Sequence, residues 1–120
     1  MGYSNYKDLV VWTKSMDLVK EVYQLIELLP KEEKFSLADQ IRRSVISIPS
    51  NIAEGESRKS KKEFINFLSI ANGSRAELET QLLIGCMLGY YTEQQVQKAM
   101  DLSNEISRMI YALIKKMEEQ

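Results

Sequence analysis

Four cations crowd one short stretch of this chain: Arg58, Lys59, Lys61 and Lys62. They stand just ahead of an apolar-periodic run, where the free amides and dipole of a helix N-terminus favour an anion. Ammonium and guanidinium groups in that position suit phosphate oxygens. With Arg42 and Arg43 upstream they make a candidate anion- or RNA-binding set, six of the sixteen Lys and Arg residues. The remaining ten cations face seventeen carboxylates, so positive charge is locally concentrated in a chain of net charge -1. The competing reading is a solvated link whose lysines aid solubility. Arg42 and Arg43 also suit ion pairs with carboxylates of a neighbouring helix or subunit.

A second set is polar and mixed: Asn51, Glu54, Glu77 and Gln81. On adjacent helices these side chains can meet as a hydrogen-bonded network, and such a network specifies one packing arrangement. Catalysis would need a carboxylate pair in a pocket with a path for substrate. The chain has no histidine, which removes histidine acid/base chemistry, Ser-His-Asp triads and the Glu-x-x-His pairs of di-iron bundles. No catalytic residue, cofactor site, metal site or small-molecule substrate is therefore assigned. The single cysteine, Cys86, excludes an internal disulfide, suits a reducing cytoplasm and reads as a buried thiol. Tyr90 and Tyr91 can stack on bases or pack under a turn, the second being the simpler role.

Positioning these residues falls to helices. The 120 residues suit one domain, 1–120, and helix formers dominate, with five glycines and two prolines between them. No apolar run reaches the roughly 18 residues of a membrane span, and the N-terminus lacks a signal-peptide layout. After a lead-in with Ser4 or Asn5 as cap, the first helix is expected over about 7–29, ahead of Pro30. Leu9, Trp12, Met16, Val19, Tyr23 and Ile26 form one seam on it, and Val11, Leu18, Val22, Leu25 and Leu29 a second. At ~100° per residue the two cover roughly 200° of the surface. A bundle helix needs one stripe for its core, so the extra width suggests a second contact, with Val11, Leu18, Val22, Leu25 and Leu29 as oligomer interface candidates; the alternative is one broad core stripe with some exposed leucines. Trp12 and Tyr23 are core or interface anchors.

Ser36 opens the second helix as a capping box, with Leu37, Ile41, Val45, Ile48 and Ile52 on one face and Gly55 as C-cap. That face runs through Pro49 in phase, and a proline inside a helix removes a donor, so a kink is expected there. Ser60 caps a third helix whose core face is Phe64, Phe67, Leu68, Ala71, Ser74, Leu78, Leu82 and Gly85. Its middle is small, and Gly73 there suggests close approach by Trp12 or the second helix. Thr92 opens the fourth helix, with Val96, Ala99, Ser103, Ile106, Ile110, Leu113 and Met117 inward. Short links make the whole an all-α, up-down-up-down antiparallel four-helix bundle with a proline kink in helix 2.

Several stretches together carry a family resemblance. They are Asp8-Leu9, Val11-Trp12 and Lys14; Gln40, Arg42 and Arg43; Ser47-Ile48-Pro49-x-Asn51-Ile52-Ala53-Glu54-Gly55; and, further on, Glu63-Phe64, Phe67-Leu68, Gly73-Ser74 and Ala76 to Leu82. The chain resembles the small bundle proteins first named from reading frames inside intervening sequences of 23S rRNA genes. The resemblance implies a homopentamer without catalytic activity. A related bundle, the accessory protein of diversity-generating retroelements, is also pentameric and works with RNA and a reverse transcriptase; its group is basic, whereas this chain is at -1. The expected function is a non-enzymatic homo-oligomer that contacts RNA or a ribonucleoprotein. The alternative is a protein-protein scaffold without nucleic acid.

Overall fold

The helical periodicity becomes four helices, and there is no strand among the described residues. The computed structural model describes residues 5–120. The helices are α1 (Val10–Ile26), α2 (Leu37–Ser57), α3 (Lys61–Met87) and α4 (Glu93–Glu118), with 3-10 turns at Tyr6–Asp8 and Lys31–Glu33. Of the two caps expected at the start, Asn5 accepts from the amide of Lys7, while Ser4 lies outside the described residues. The Asn5 cap closes the 3-10 turn rather than a helix, so α1 begins later than expected. It also ends earlier: the amides of Leu28 and Leu29 already reach back only three residues, because Pro30 drives its predecessor out of the helical region.

The α2 start corrects the expected capping box. The Ser36 side chain does not cap; its hydroxyl donates to Glu33, whose carboxylate also accepts the amide of Leu37. Glu33 is thus the capping group. The Ser36 hydroxyl, the Tyr90 phenol and that amide hold its carboxyl below the usual value. α2 runs on through Pro49, which is buried, and past Gly55. The stop comes at Lys59, whose φ of +58° takes the left-handed conformation that usually falls to glycine. At the remaining starts, the Ser60 hydroxyl accepts from the Glu63 amide, and Thr92 with Gln95 completes a reciprocal capping box.

Each helix packs on its chain neighbours and α1 packs on α4; among the described residues the backbones of α1 and α3, and of α2 and α4, stand more than 8 Å apart. Partners run in opposite order along the α1–α4 and α2–α3 pairs. Lys14 meets Glu105 and Glu21 meets Lys98; Ser44 meets Gln81 and Ser47 meets Ser74; Asn72 meets Tyr111. The core is Leu18, Val22, Ile41, Val45, Ile48, Ile52, Leu68, Leu78, Leu82, Ile106 and Ile110 with their neighbours. The expected inward faces of α2, α3 and α4 are buried apart from Leu37, Phe67, Leu113 and Met117, which are half-buried.

On α1 the two stripes exchange roles. Val11, Leu18, Val22 and Leu25, candidates for an oligomer interface, are buried in the single chain, and Leu29 is half-buried. Met16 and Tyr23 of the expected seam are exposed, with Trp12, Val19 and Ile26 at the rim. Ser15 lies on the inward stripe, fully buried, with its hydroxyl donating to the carbonyl of Trp12 at 2.7 Å. Trp12 packs edge-on against Tyr6 at 5.3 Å and lies at the edge of the core.

Two glycines separate cleanly. A Cβ at Gly55 would lie 2.6 Å from Cβ of Phe67 and 3.4 Å from Cα of Phe64, so the glycine sets the α2–α3 spacing. A Cβ at Gly73 would meet nothing within 4 Å, so the close approach expected there does not occur. Gly85 makes room for the Tyr91 ring, 2.5 Å from a Cβ built at that position. The Tyr91 hydroxyl donates to the carbonyl of Leu25 at 2.6 Å, tying the α3–α4 link to the end of α1. Tyr90 donates to Glu33 at 2.8 Å. The two tyrosines therefore hold the links together, which removes Tyr91 from any base-stacking role.

Two outcomes follow for stability. Gly55→Ala should cost about 1–3 kcal/mol through overpacking, whereas Gly73→Ala should add about 0.5–1 kcal/mol through helix propensity; paired urea denaturation curves decide it. Burial pushes the Tyr91 phenol from 10.0 up to about 12. Above its unfolded pKa the unfolded chain releases this proton and the folded chain keeps it, so its contribution is intact below pH ~10 and lost as pH rises towards 12. Tyr91→Phe should cost about 1 kcal/mol at neutral pH and flatten the stability loss in that alkaline window, as read by denaturation at stepped pH.

Candidate functional site

The candidate cations separate into two groups. Arg42 and Arg43 sit near the start of α2, and both reach Asp39, at 3.6 and 3.1 Å. Arg58, Lys59, Lys61 and Lys62 sit beyond its other end. The sixteen residues from Arg42 to Arg58 place the groups about 24 Å apart along a helix, so the six do not form one patch. The ion pairs expected for Arg42 and Arg43 exist, but within their own helix rather than to α3.

The link group is largely balanced. Arg58 pairs with Glu54 at 2.9 Å and Glu63 at 3.6 Å, and its guanidinium lies over the Phe67 ring at 5.3 Å. Lys59 turns back through its left-handed backbone to Glu56 at 3.0 Å. That carboxylate is buried, its side chain 6% exposed, and needs this partner. Lys61 donates to the carbonyl of Gln120 at 3.2 Å. Of the six, only Lys62 makes no ion pair or hydrogen bond among the described residues. A concavity of about 1000 Å³ lies beside the link, with Leu9, Phe64, Leu113 and Met117 beneath and Lys59, Lys61 and Lys116 around it.

The polar set does not meet as one network. Gln81 accepts from Ser44 at 2.7 Å, and the Asn51 amide donates to the carbonyl and hydroxyl of Ser47, both at 2.8 Å. Ser47 and Ser74 share a hydrogen bond of 2.8 Å. Glu54 turns instead to Arg58, and Glu77 is exposed. The α2–α3 seam is therefore joined by serines, which sequence reading passed over because serine is also common in links and caps. A further network was missed outright: Arg75 pairs with Glu79, both bond Ser103, and Arg75 also donates to Asn72. The spacing of Arg75 and Glu79, four apart on α3, was its one sequence signal.

Among the described residues every buried side-chain polar atom has a partner, and no three of Cys, Asp and Glu gather as a metal-binding group. No helix among them is long and apolar enough to cross a membrane. Cys86 is half-buried, its thiol raised by burial and by Glu93.

Comparison with known proteins agrees with the fold. Curated proteins return no match. A solved structure described as a protein of unknown function from the S23 ribosomal protein family, from Bacteroides thetaiotaomicron, is similar at 34% identity. The match covers 88% of this chain and 99% of that one, with a TM-score of 0.81. The family profile described as 23S rRNA-intervening sequence protein matches residues 7–112. Nearly the whole bundle lies within that match, and the chain belongs to the 23S rRNA-intervening sequence protein family.

Proposed function

We propose that this chain is a non-enzymatic bundle that acts by association, assembling with copies of itself in the cytoplasm and offering the assembly to a further partner. Its topology in this reading is up-down-up-down and antiparallel, with α2 bent at Pro49. The opposite order of contacts along neighbouring helices supports the topology, and the donor missing at Pro49 supports the bend. The assembly is a pentamer, as the family resemblance implies.

One observation carries this reading. Met16, Tyr23, Ile46, Ile70, Leu83 and Met87 remain exposed after the core is complete. Exposed apolar side chains on several helices are the groups through which bundles associate, and they support this reading. The buried stripe of α1 cannot serve, so self-association rests on these outer residues.

For the further partner, a protein is the first reading, because Arg42, Arg43, Arg58 and Lys59 are each already paired with a carboxylate of the same chain. RNA or a ribonucleoprotein is the second. It draws on the description of the family and on Lys61 and Lys62 at the link, which a ring would repeat and so strengthen through multivalency.

Light scattering on the purified chain at micromolar concentration should give five copies; a monomer would overturn self-association. Anisotropy titration with a structured RNA decides the partner. If RNA is the partner, binding weakens steeply with salt, and Lys61→Gln with Lys62→Gln lowers the salt slope by about 1 per neutralised contact. Absence of binding at low salt leaves the protein partner.

A further inference from the structure

At the end of the bundle away from Tyr90 and Tyr91, the start of α1, the α2–α3 link and the last turns of α4 converge. Between them lies the concavity of about 1000 Å³. Small-molecule sites occupy roughly 300–1,000 Å³, so this one is at the large end. Its lining varies with depth. Leu9 and Phe64 are 8% and 6% exposed and form the floor. Met117 is half-buried on the wall, and Val10, Lys61 and Lys116 stand exposed around the mouth.

The charges are ordered as well. Glu56 is the buried carboxylate of the lining, its side chain 6% exposed. Lys59 pairs with it at 3.0 Å, from a backbone held at φ +58°. That conformation costs a non-glycine residue energy, and here it keeps the ammonium on the carboxylate. Lys61 and Lys116 have no such partner. The first donates only to the carbonyl of Gln120, and the ammonium of the second makes no ion pair or hydrogen bond among the described residues. Asp8, the other carboxylate of the lining, is itself engaged. The mouth thus presents two ammonium groups without a carboxylate among the described residues, over an apolar floor.

This pairing of features selects an occupant with an anionic head and an aliphatic chain. A bilayer surface does not suit it, because Leu9 and Phe64 lie at the bottom of a recess and do not project. A single chain can enter.

We propose that this end of the bundle binds a free, single-chain aliphatic carboxylate, its chain over Leu9, Phe64 and Met117 and its head between Lys61 and Lys116. The site needs one copy of the chain and does not depend on the self-association reading above. Burial of the chain supplies most of the affinity, because a run of buried methylenes outweighs an exposed ion pair.

Isothermal titration calorimetry with octanoate, decanoate and dodecanoate, each below its micelle concentration, tests it. Binding should saturate at one ligand per chain, and Kd should fall roughly threefold for each added methylene. Lys61→Gln with Lys116→Gln should weaken decanoate about fivefold and leave decanol unchanged, since the alcohol carries no charge. Met117→Glu, which puts a carboxylate on the wall, should abolish decanoate binding with wild-type helicity by circular dichroism. Should that variant fail to fold, Val10→Glu at its exposed position should still weaken decanoate about tenfold. No saturable binding of the three acids, a Kd that ignores chain length, or equal losses of decanoate and decanol in the lysine variant overturns the proposal. Co-sedimentation with phosphatidylglycerol vesicles without binding of the free acids points to a membrane surface and also overturns it.

Discussion

The α2–α3 seam constrains the rest of the bundle. The two helices approach so closely at Gly55 that one added methyl group would overlap Phe67. Further along the seam the small side chains Ser47 and Ser74 bond each other directly, and Ser44 reaches Gln81. A seam of small polar residues fixes helix spacing and axial register together, because a sliding movement would leave half-buried hydroxyls without partners. With α2 and α3 so joined, α1 and α4 complete the core from the other side. Tyr91, seated over Gly85 and bonded to Leu25, ties the end of α1 to the α3–α4 link.

The same economy governs charge. A run of cations beside a helix start invites an anion-binding reading, yet in the fold each guanidinium in the set finds a carboxylate within its own helix or link. Lys59 does more: its left-handed backbone ends α2 and carries its ammonium to the buried Glu56. The cations thus act mainly on the geometry of one turn. The exposed apolar side chains, among them Met16, Ile46 and Met87, have no such internal answer.

Much of the architecture was legible in the residue order. Helical periodicity marked the inward faces of α2, α3 and α4, and Ser60 and Thr92 marked two starts, because caps and periodicity act over a few residues of chain. Links were less legible. Ser36 satisfies the pattern of a capping box, but Glu33 reaches the Leu37 amide first and takes the Ser36 hydroxyl too. Gly55 looked like a helix end because glycine serves both ends and close contacts, and only Phe67 across the seam distinguishes the two.

The residue order by itself determined that α1 carries two apolar stripes, since helix geometry alone decides which residues share a side. Only the tertiary structure decided that Val11, Leu18, Val22 and Leu25 face inward while Met16 and Tyr23 look out. Periodicity defines a stripe up to a rotation about the helix axis, and that rotation is chosen by the shape of the helices packed against it. Likewise the order showed six cations, but only folding placed Asp39, Glu54, Glu56 and Glu63 beside them, because the reach of a side chain depends on backbone directions that spacing does not contain.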